Sequence, residues 1–165
     1  MSIWAGIKHA LNTTLGTTNF KPLDRQIVEQ MRMIPSDTTY HSLDGYSHAF
    51  TTINTQDTVT FPQKVKMTRY GIARFKGVLE RNQTKFVSAT FYIYKNGAEV
   101  FKIERTTGSD ETESAFSTDI AFEPNDVFTF KLSGKSTDNT YTRRMGISSF
   151  ALCGTIEHNF IEFVS

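Results

Sequence analysis

An antiparallel β-sandwich or jelly roll, preceded by an N-terminal helical hairpin, is the mainly-β fold that this 165-residue sequence predicts. Two observations predict the β body. From Thr58 onward, short segments alternate apolar and polar residues, and turn residues separate them every eight to twelve positions or so. The chain also holds 14 Phe, which can thicken a two-sheet core, and abundant Thr, which suits the wet faces of strands. A third observation predicts the helical head, because apolar residues before position 35 recur at spacings of three and four.

Ile3, Trp4, Ile7, Leu11 and Leu15 fall on one helical stripe, and Gly16 follows as a natural left-handed stop. Pro22 and Asp24 suit the first turn of a second helix. Leu23, Ile27, Met31 and Ile34 continue its apolar face, and Pro35 ends it. Each helix is too short to be stable alone in water, so both stripes must pack on something. Residues 36–57 are polar, with an Asp-Gly turn signal at 44–45, and read as a connector with one short strand around 48–54. Residues 58–165 read as the β-sandwich module.

Within that module "YGIARFKGVLE" places Ala73, Phe75, Gly77 and Leu79 on one side and Arg74 and Lys76 on the other. "FVSATFYIY" and "AEVFKIE" flank "KNG", where Asn-Gly tolerates the positive φ of a tight hairpin turn. "SAFSTDIAFE" sets Phe116, Thr118, Ile120 and Phe122 on one face. A Pro-Asn-Asp turn then leads into "VFTFKL", with Phe128, Phe130 and Leu132 inward. "RRMGISSFALCG" and "TIEHNFIEFV" complete a set of seven or eight expected strands.

The chemistry-bearing residues are sparse. Lys and Arg total 18 against 17 Asp and Glu, which argues against a large electrostatic footprint for nucleic acid or an anionic membrane. No basic stretch followed by an apolar run opens the chain, so no signal peptide is expected, and no run approaches the roughly 18 apolar residues of a membrane span. Folding in a cytoplasm and no membrane insertion are the expectations. Cys153, the single cysteine, sits in an apolar strand-like context that suggests a buried, inert thiol. His9, His41, His48 and His158 are scattered without metal-ligand spacing, and no metal or cofactor is expected. Asp110, Glu111 and Glu113 cluster on a loop, where a solvated turn is the plainer account than a Ca²⁺ cage or a glycosidase pair. Arg143 and Arg144 form a basic pair that a strand end accounts for as well as a phosphate contact does. No nucleophile elbow, phosphate loop or dinucleotide fingerprint occurs, so no enzyme is expected. Tyr92 and Tyr94 alternate with Phe91 and Ile93, which sets two phenols on one strand face. They are the candidate glycan contacts, with cross-strand packing or a subunit interface as the alternatives.

Two stretches carry a resemblance. "IWAGIKHALNTTLGT" followed by "FKPLD" resembles a segment of structural proteins of tailed bacteriophages and prophages of Gram-positive bacteria. "FYIYKNGAEVFKIE" followed by "AFSTDIAFEPNDVFTFKL" resembles the β-sandwich modules of phage fibre and baseplate proteins. A similar turn-Asp-strand pattern occurs in the trimeric jelly rolls of the tumour-necrosis-factor and C1q kind, where Gly-Asp is usual in place of Asn125-Asp126.

The resemblance implies a non-enzymatic virion protein of the tail-fibre, baseplate or receptor-binding type, made in the host bacterial cytoplasm. Residues 1–35 would then anchor or oligomerise the chain, through Ile3, Trp4, Ile7, Leu11, Leu15, Leu23 and Ile27. A homo-oligomer, with a trimer favoured, other virion proteins and a host cell-wall glycan are the implied partners. The alternatives are a capsid decoration or head-fibre protein and a stand-alone carbohydrate-binding β-sandwich. Within a single chain, the two helices could instead cover one end of the sandwich.

Overall fold

The structure, a computed structural model, describes residues 32–43, 45–50, 56–81, 86–106, 113–136, 143–155 and 159–164. The described residues form eleven strands and no helix. The strands are β1 (Thr39–Ser42), β2 (Tyr46–Phe50), β3 (Asp57–Thr60), β4 (Lys64–Met67), β5 (Gly71–Arg81) and β6 (Phe86–Lys95). They continue with β7 (Ala98–Thr106), β8 (Glu113–Phe122), β9 (Val127–Ser136), β10 (Arg143–Cys153) and β11 (Ile161–Val164).

All strand pairings are antiparallel and fall into two sheets. In the first, β1 and β2 share one side of β10, β5 takes the other side, and β8 lies beyond β5. In the second, β3 and β4 share one side of β9, β6 and then β7 follow on the other, and β11 flanks β4. The long strands alternate as strands with one wet face must. On β5, Ala73, Phe75 and Leu79 are buried; on β9, Phe128, Phe130 and Leu132 are fully buried.

Rings from the two sheets meet between them. Phe75 of β5 lies 5.0 Å from Phe128 of β9, and Phe130 of β9 meets Phe150 of β10 edge-on at 4.9 Å. Phe91 of β6 lies 5.2 Å from Phe116 of β8 and 5.5 Å from Phe150. Each ring pair adds roughly 0.5–1.5 kcal/mol beyond the area it buries. The core is therefore a layer of interleaved phenylalanines between two sheets, a sandwich-like arrangement.

The two sheets are stitched along both margins. On one side His41 of β1 lies 4.8 Å from Phe163 of β11, and the Tyr40 hydroxyl accepts from the Phe160 N–H at 2.8 Å. On the other, Phe101 of β7 lies 5.3 Å from Phe116 of β8, and Lys95 Nζ donates to the Ala121 carbonyl at 3.0 Å. Long side chains thus occupy edges that would otherwise present bare backbone.

The chain divides into two compact units, residues 1–32 and 33–165. The helical hairpin expected over 1–35, with Ile3, Trp4, Ile7, Leu11, Leu15, Leu23 and Ile27, lies outside the described residues except for its last few. Those last residues are not helical. Met33 forms a parallel bridge with Gly71, donating its N–H to the Tyr70 carbonyl and accepting from the Ile72 N–H at 2.9 Å. Thr155 donates to the Ile34 carbonyl and Gly154 to that of Thr38, so residues 33–38 form a strap along the ends of β5 and β10. The stretch read as a connector supplies β1 and β2, both paired to β10.

Candidate functional site

The hairpin of β6 and β7 turns through Asn96 (φ 53°) and Gly97 (φ 82°), the left-handed pair that the Asn-Gly sequence allows. This turn is docked to the next one. Asn96 Nδ2 donates to Asp126 Oδ1 at 2.6 Å, and the Val127 N–H donates to Asn96 Oδ1 at 2.9 Å. Asp126 Oδ2 accepts from the Glu123 N–H at 2.9 Å and lies 3.4 Å from Lys95 Nζ. Burial works against the Asp126 charge, but the Glu123 N–H, the Asn96 amide and Lys95 together hold its carboxyl below the usual range. Asn125 (φ 74°) closes the turn, its N–H donating to the Met67 carbonyl at 2.7 Å. Two turns and the end of β4 are thereby locked together, which fixes the register of β6 against β9.

With that register fixed, Tyr92 and Tyr94 point away from the core on adjacent outward positions of β6. Their rings lie 6.0 Å apart and are tilted by 35°. Lys131 of β9 places its ammonium 4.5 Å from the centre of the Tyr94 ring, a cation–π contact. Desolvation, then Glu99 and Tyr92, push the Tyr94 phenol above its usual range, so it stays a neutral hydrogen-bond donor and acceptor at physiological pH. Tyr92 is flanked in the same cross-strand row by Lys102 of β7 and Lys131 of β9, and Tyr94 by Glu99 and Thr129. One row further, Thr90 is flanked by Glu104 and Ser133, and Ser133 pairs with Thr58 of β3. Gln56 Nε2 donates to Ser133 Oγ at 2.6 Å, and the Thr58 and Ser133 hydroxyls are 2.8 Å apart. Thr90 and Ser133 are themselves buried and Ser133 is bonded within the protein, so the two phenols are what this part of the face presents.

The opposite outer face carries a charge cluster. Arg74 of β5 makes a two-pronged contact with Asp119 of β8, Nε to Oδ1 at 2.7 Å and a terminal nitrogen to Oδ2 at 2.9 Å. Its other terminal nitrogen reaches Asp37 of the strap at 3.2 Å, and Lys76 reaches the same carboxylate at 3.4 Å. The hydrogen bond from Arg74 holds both Asp119 and Asp37 below the usual carboxylate range, with Lys76 adding to the effect on Asp37. Asp119 and Asp37 in turn raise the Arg74 guanidinium. These groups hold the strap on the sheet.

The other residues singled out by sequence do not converge. His41 and His48 lie on β1 and β2, Glu113 opens β8, and Arg143 and Arg144 open β10. His9, Asp110, Glu111 and His158 lie outside the described residues. Cys153 is fully buried. Among the described residues no cluster of His, Cys, Asp and Glu is placed to hold a metal ion, and no helix is long and apolar enough to cross a membrane. Sequence reasoning found the two tyrosines but missed Lys131, Glu99, Gln56 and the Asp37–Arg74–Asp119 cluster. Only the alternation of β5 and β8, once paired, could have brought Arg74 opposite Asp119. No protein-family model matches the chain, and a comparison with curated proteins finds no match.

Proposed function

We propose that the chain is a non-enzymatic bacteriophage virion protein of the tail-fibre, baseplate or receptor-binding type. In this reading residues 1–32 anchor and oligomerise it, and the sandwich faces outward and touches host cell-wall glycan. Weak contacts would sum over a symmetric assembly, trimeric by preference, so that avidity supplies the attachment.

The observation that carries the reading is the strand order. With β1 and β2 counted as one strand, and β3 and β4 as one, the sheets run 1-8-3-6 and 2-7-4-5, with β11 added as a ninth strand beside β4. That order supports a jelly roll of two interlocked Greek keys, the architecture of capsid and lectin domains. The Asn125-Asp126 turn leading into β9 resembles the turn-Asp-strand pattern of the trimeric jelly rolls. The separation of residues 1–32 as a compact unit supports an anchor distinct from the module. A stand-alone carbohydrate-binding sandwich is the second reading, favoured by the Tyr92–Tyr94 face.

Light scattering on the full chain and on residues 33–165 tests the proposal. The expected result is a full-length trimer that falls to a folded monomer when residues 1–32 are removed. A full-length monomer would overturn the assembly part and favour the second reading.

A further inference from the structure

The lock between the two turns also governs the chemistry of Asn96. An asparagine amide is open to attack at Cγ by the backbone nitrogen of the next residue, and a glycine there clears the approach because it has no side chain. Asn-Gly occurs once in the sequence, at Asn96-Gly97. Gly97 is exposed, and a Cβ built on it would meet nothing within 4 Å. No hydrogen bond among the described residues engages its N–H. The other asparagines among the described residues differ on both counts. Asn125 precedes Asp126, whose N–H donates to the Glu123 carbonyl at 3.1 Å. Asn159 precedes Phe160, whose N–H donates to the Tyr40 hydroxyl at 2.8 Å.

At Asn96 the nucleophile is therefore free, and what is held is the electrophile. Asn96 Nδ2 is tied to Asp126 Oδ1 and Asn96 Oδ1 to the Val127 N–H, so both ends of the amide are fixed on the neighbouring turn. The Asn96 backbone N–H, bonded to the Val127 carbonyl at 2.9 Å, holds the same residue a third time. For Cγ to swing onto the Gly97 nitrogen, both side-chain bonds must part. One of them runs to a carboxylate, and such charge-assisted bonds are roughly twice as strong as neutral ones.

We propose that Asn96 is a deamidation site guarded by Asp126, and that its reaction releases the docked turns irreversibly. The only co-reactant is water. The Gly97 nitrogen loses its proton to solvent base and bonds to Asn96 Cγ. The Cγ–Nδ2 bond breaks, and Nδ2 leaves as ammonia with a proton taken from solvent. Water then opens the cyclic imide at either carbonyl, leaving aspartate or isoaspartate at position 96. In both products the donor that faced Asp126 is replaced, and two like charges stand where a hydrogen bond was. Isoaspartate also lengthens the backbone of a tight turn whose geometry sets the hairpin register. Neither product can dock as Asn96 does.

The test follows the tryptic peptide of residues 96–102, which holds no other asparagine, by mass and by enzymatic methylation of isoaspartate. The full chain is incubated at mildly alkaline pH, folded and unfolded in guanidinium. Reaction through a locally opened turn scales with the open fraction. The folded chain is expected to react at least about tenfold more slowly than the unfolded one, and folded Asp126→Asn about tenfold faster than the folded parent. Leu43→Ala leaves a cavity under the first sheet and should keep the parent rate at Asn96. Equal acceleration in Leu43→Ala would make general unfolding, not the lock, the controlling step and so overturn the guard. A rate at Asn96 equal in folded and unfolded chains, or unmoved by Asp126→Asn, would overturn it too. Absence of reaction in the unfolded chain would overturn the site itself. Asn96→Asp should lower the urea midpoint, and a midpoint equal to the parent's would overturn the irreversible release.

Discussion

The carboxylate of Asp126 accepts from the Glu123 N–H and from Asn96 Nδ2 and lies beside Lys95 Nζ, so two turns of the chain meet on two oxygen atoms. Its side chain is only 13% exposed, which makes those bonds costly to lose. Asp126→Asn removes the charge and turns one accepting oxygen into a donor facing Asn96 Nδ2 or the Glu123 N–H. The expected loss at neutral pH is about 1–3 kcal/mol of unfolding free energy, read as a lower urea midpoint with unchanged slope. The same variant reports on pH. The native carboxyl is held below its unfolded value, so on acidification the unfolded chain takes up the proton first. The stabilisation is fully present above the ordinary carboxylate range and is lost as pH falls through the depressed native value. Asp37 and Asp119 contribute in the same direction. Urea midpoints followed downward from about pH 6 should therefore fall more steeply in the parent chain than in Asp126→Asn. An identical acid limb in both proteins would remove Asp126 from the account. The role of this residue was only half legible: the sequence marks a turn, but not that a second turn thirty residues away docks on it.

Strands that carry their own apolar alternation were readable from sequence, and strands that borrow stability were not. β5, β8 and β9 alternate Phe, Ile and Leu against polar residues, and each lies where that alternation puts it. β1 (TYHS), β2 (YSHAF) and β3 (DTVT) are four or five residues long and mostly polar. They exist because β10 and β9 offer them a long partner, a tertiary effect that no local window contains. The candidate site divides the same way. Tyr92 and Tyr94 follow from alternation along β6. Glu99 faces Tyr94 only because the register slips between Ile93 and Tyr94, and a slip of that kind leaves no local signature. The strap at residues 33–38 was hidden for a related reason, since Met33 and Ile34 fit an apolar helical spacing equally well. Its seat depends on a residue without a side chain. A Cβ on Gly71 would lie 2.7 Å from the nitrogen, oxygen and Cβ of Met33. Gly71→Ala should therefore destabilise the chain by about 1–3 kcal/mol, as overpacking does. Hydrogen exchange should quicken at the Ile72 amide, which donates to Met33. Unchanged exchange there would mean the strap tolerates the methyl group.

Residues 33–165 hold one continuous core in which Met33, Leu43 and Phe61 are buried with the phenylalanines of β5 to β10. A domain boundary drawn at Thr58 from composition cuts through this unit. A chain of residues 58–165 would lose the strap, β1, β2 and both buried residues Met33 and Leu43, and would bare one side of β10. It should unfold at a markedly lower temperature than residues 33–165 or aggregate through the exposed strand. Equal melting temperatures would show the first two strands to be dispensable. The strap has a mechanical consequence as well. Whatever holds residue 32 transmits its pull to the sandwich at Met33, between the ends of β5 and β10, the two inner strands of the first sheet. Tension entering there is divided between two long strands buried on their inner face, and the Asp37 contacts to Arg74 and Lys76 share it with the side chains. The strap and β1 nevertheless form an outer run of the first sheet, so what resists their peeling is the burial of Met33 and Leu43, whose side chains must leave the core before the backbone bonds can part.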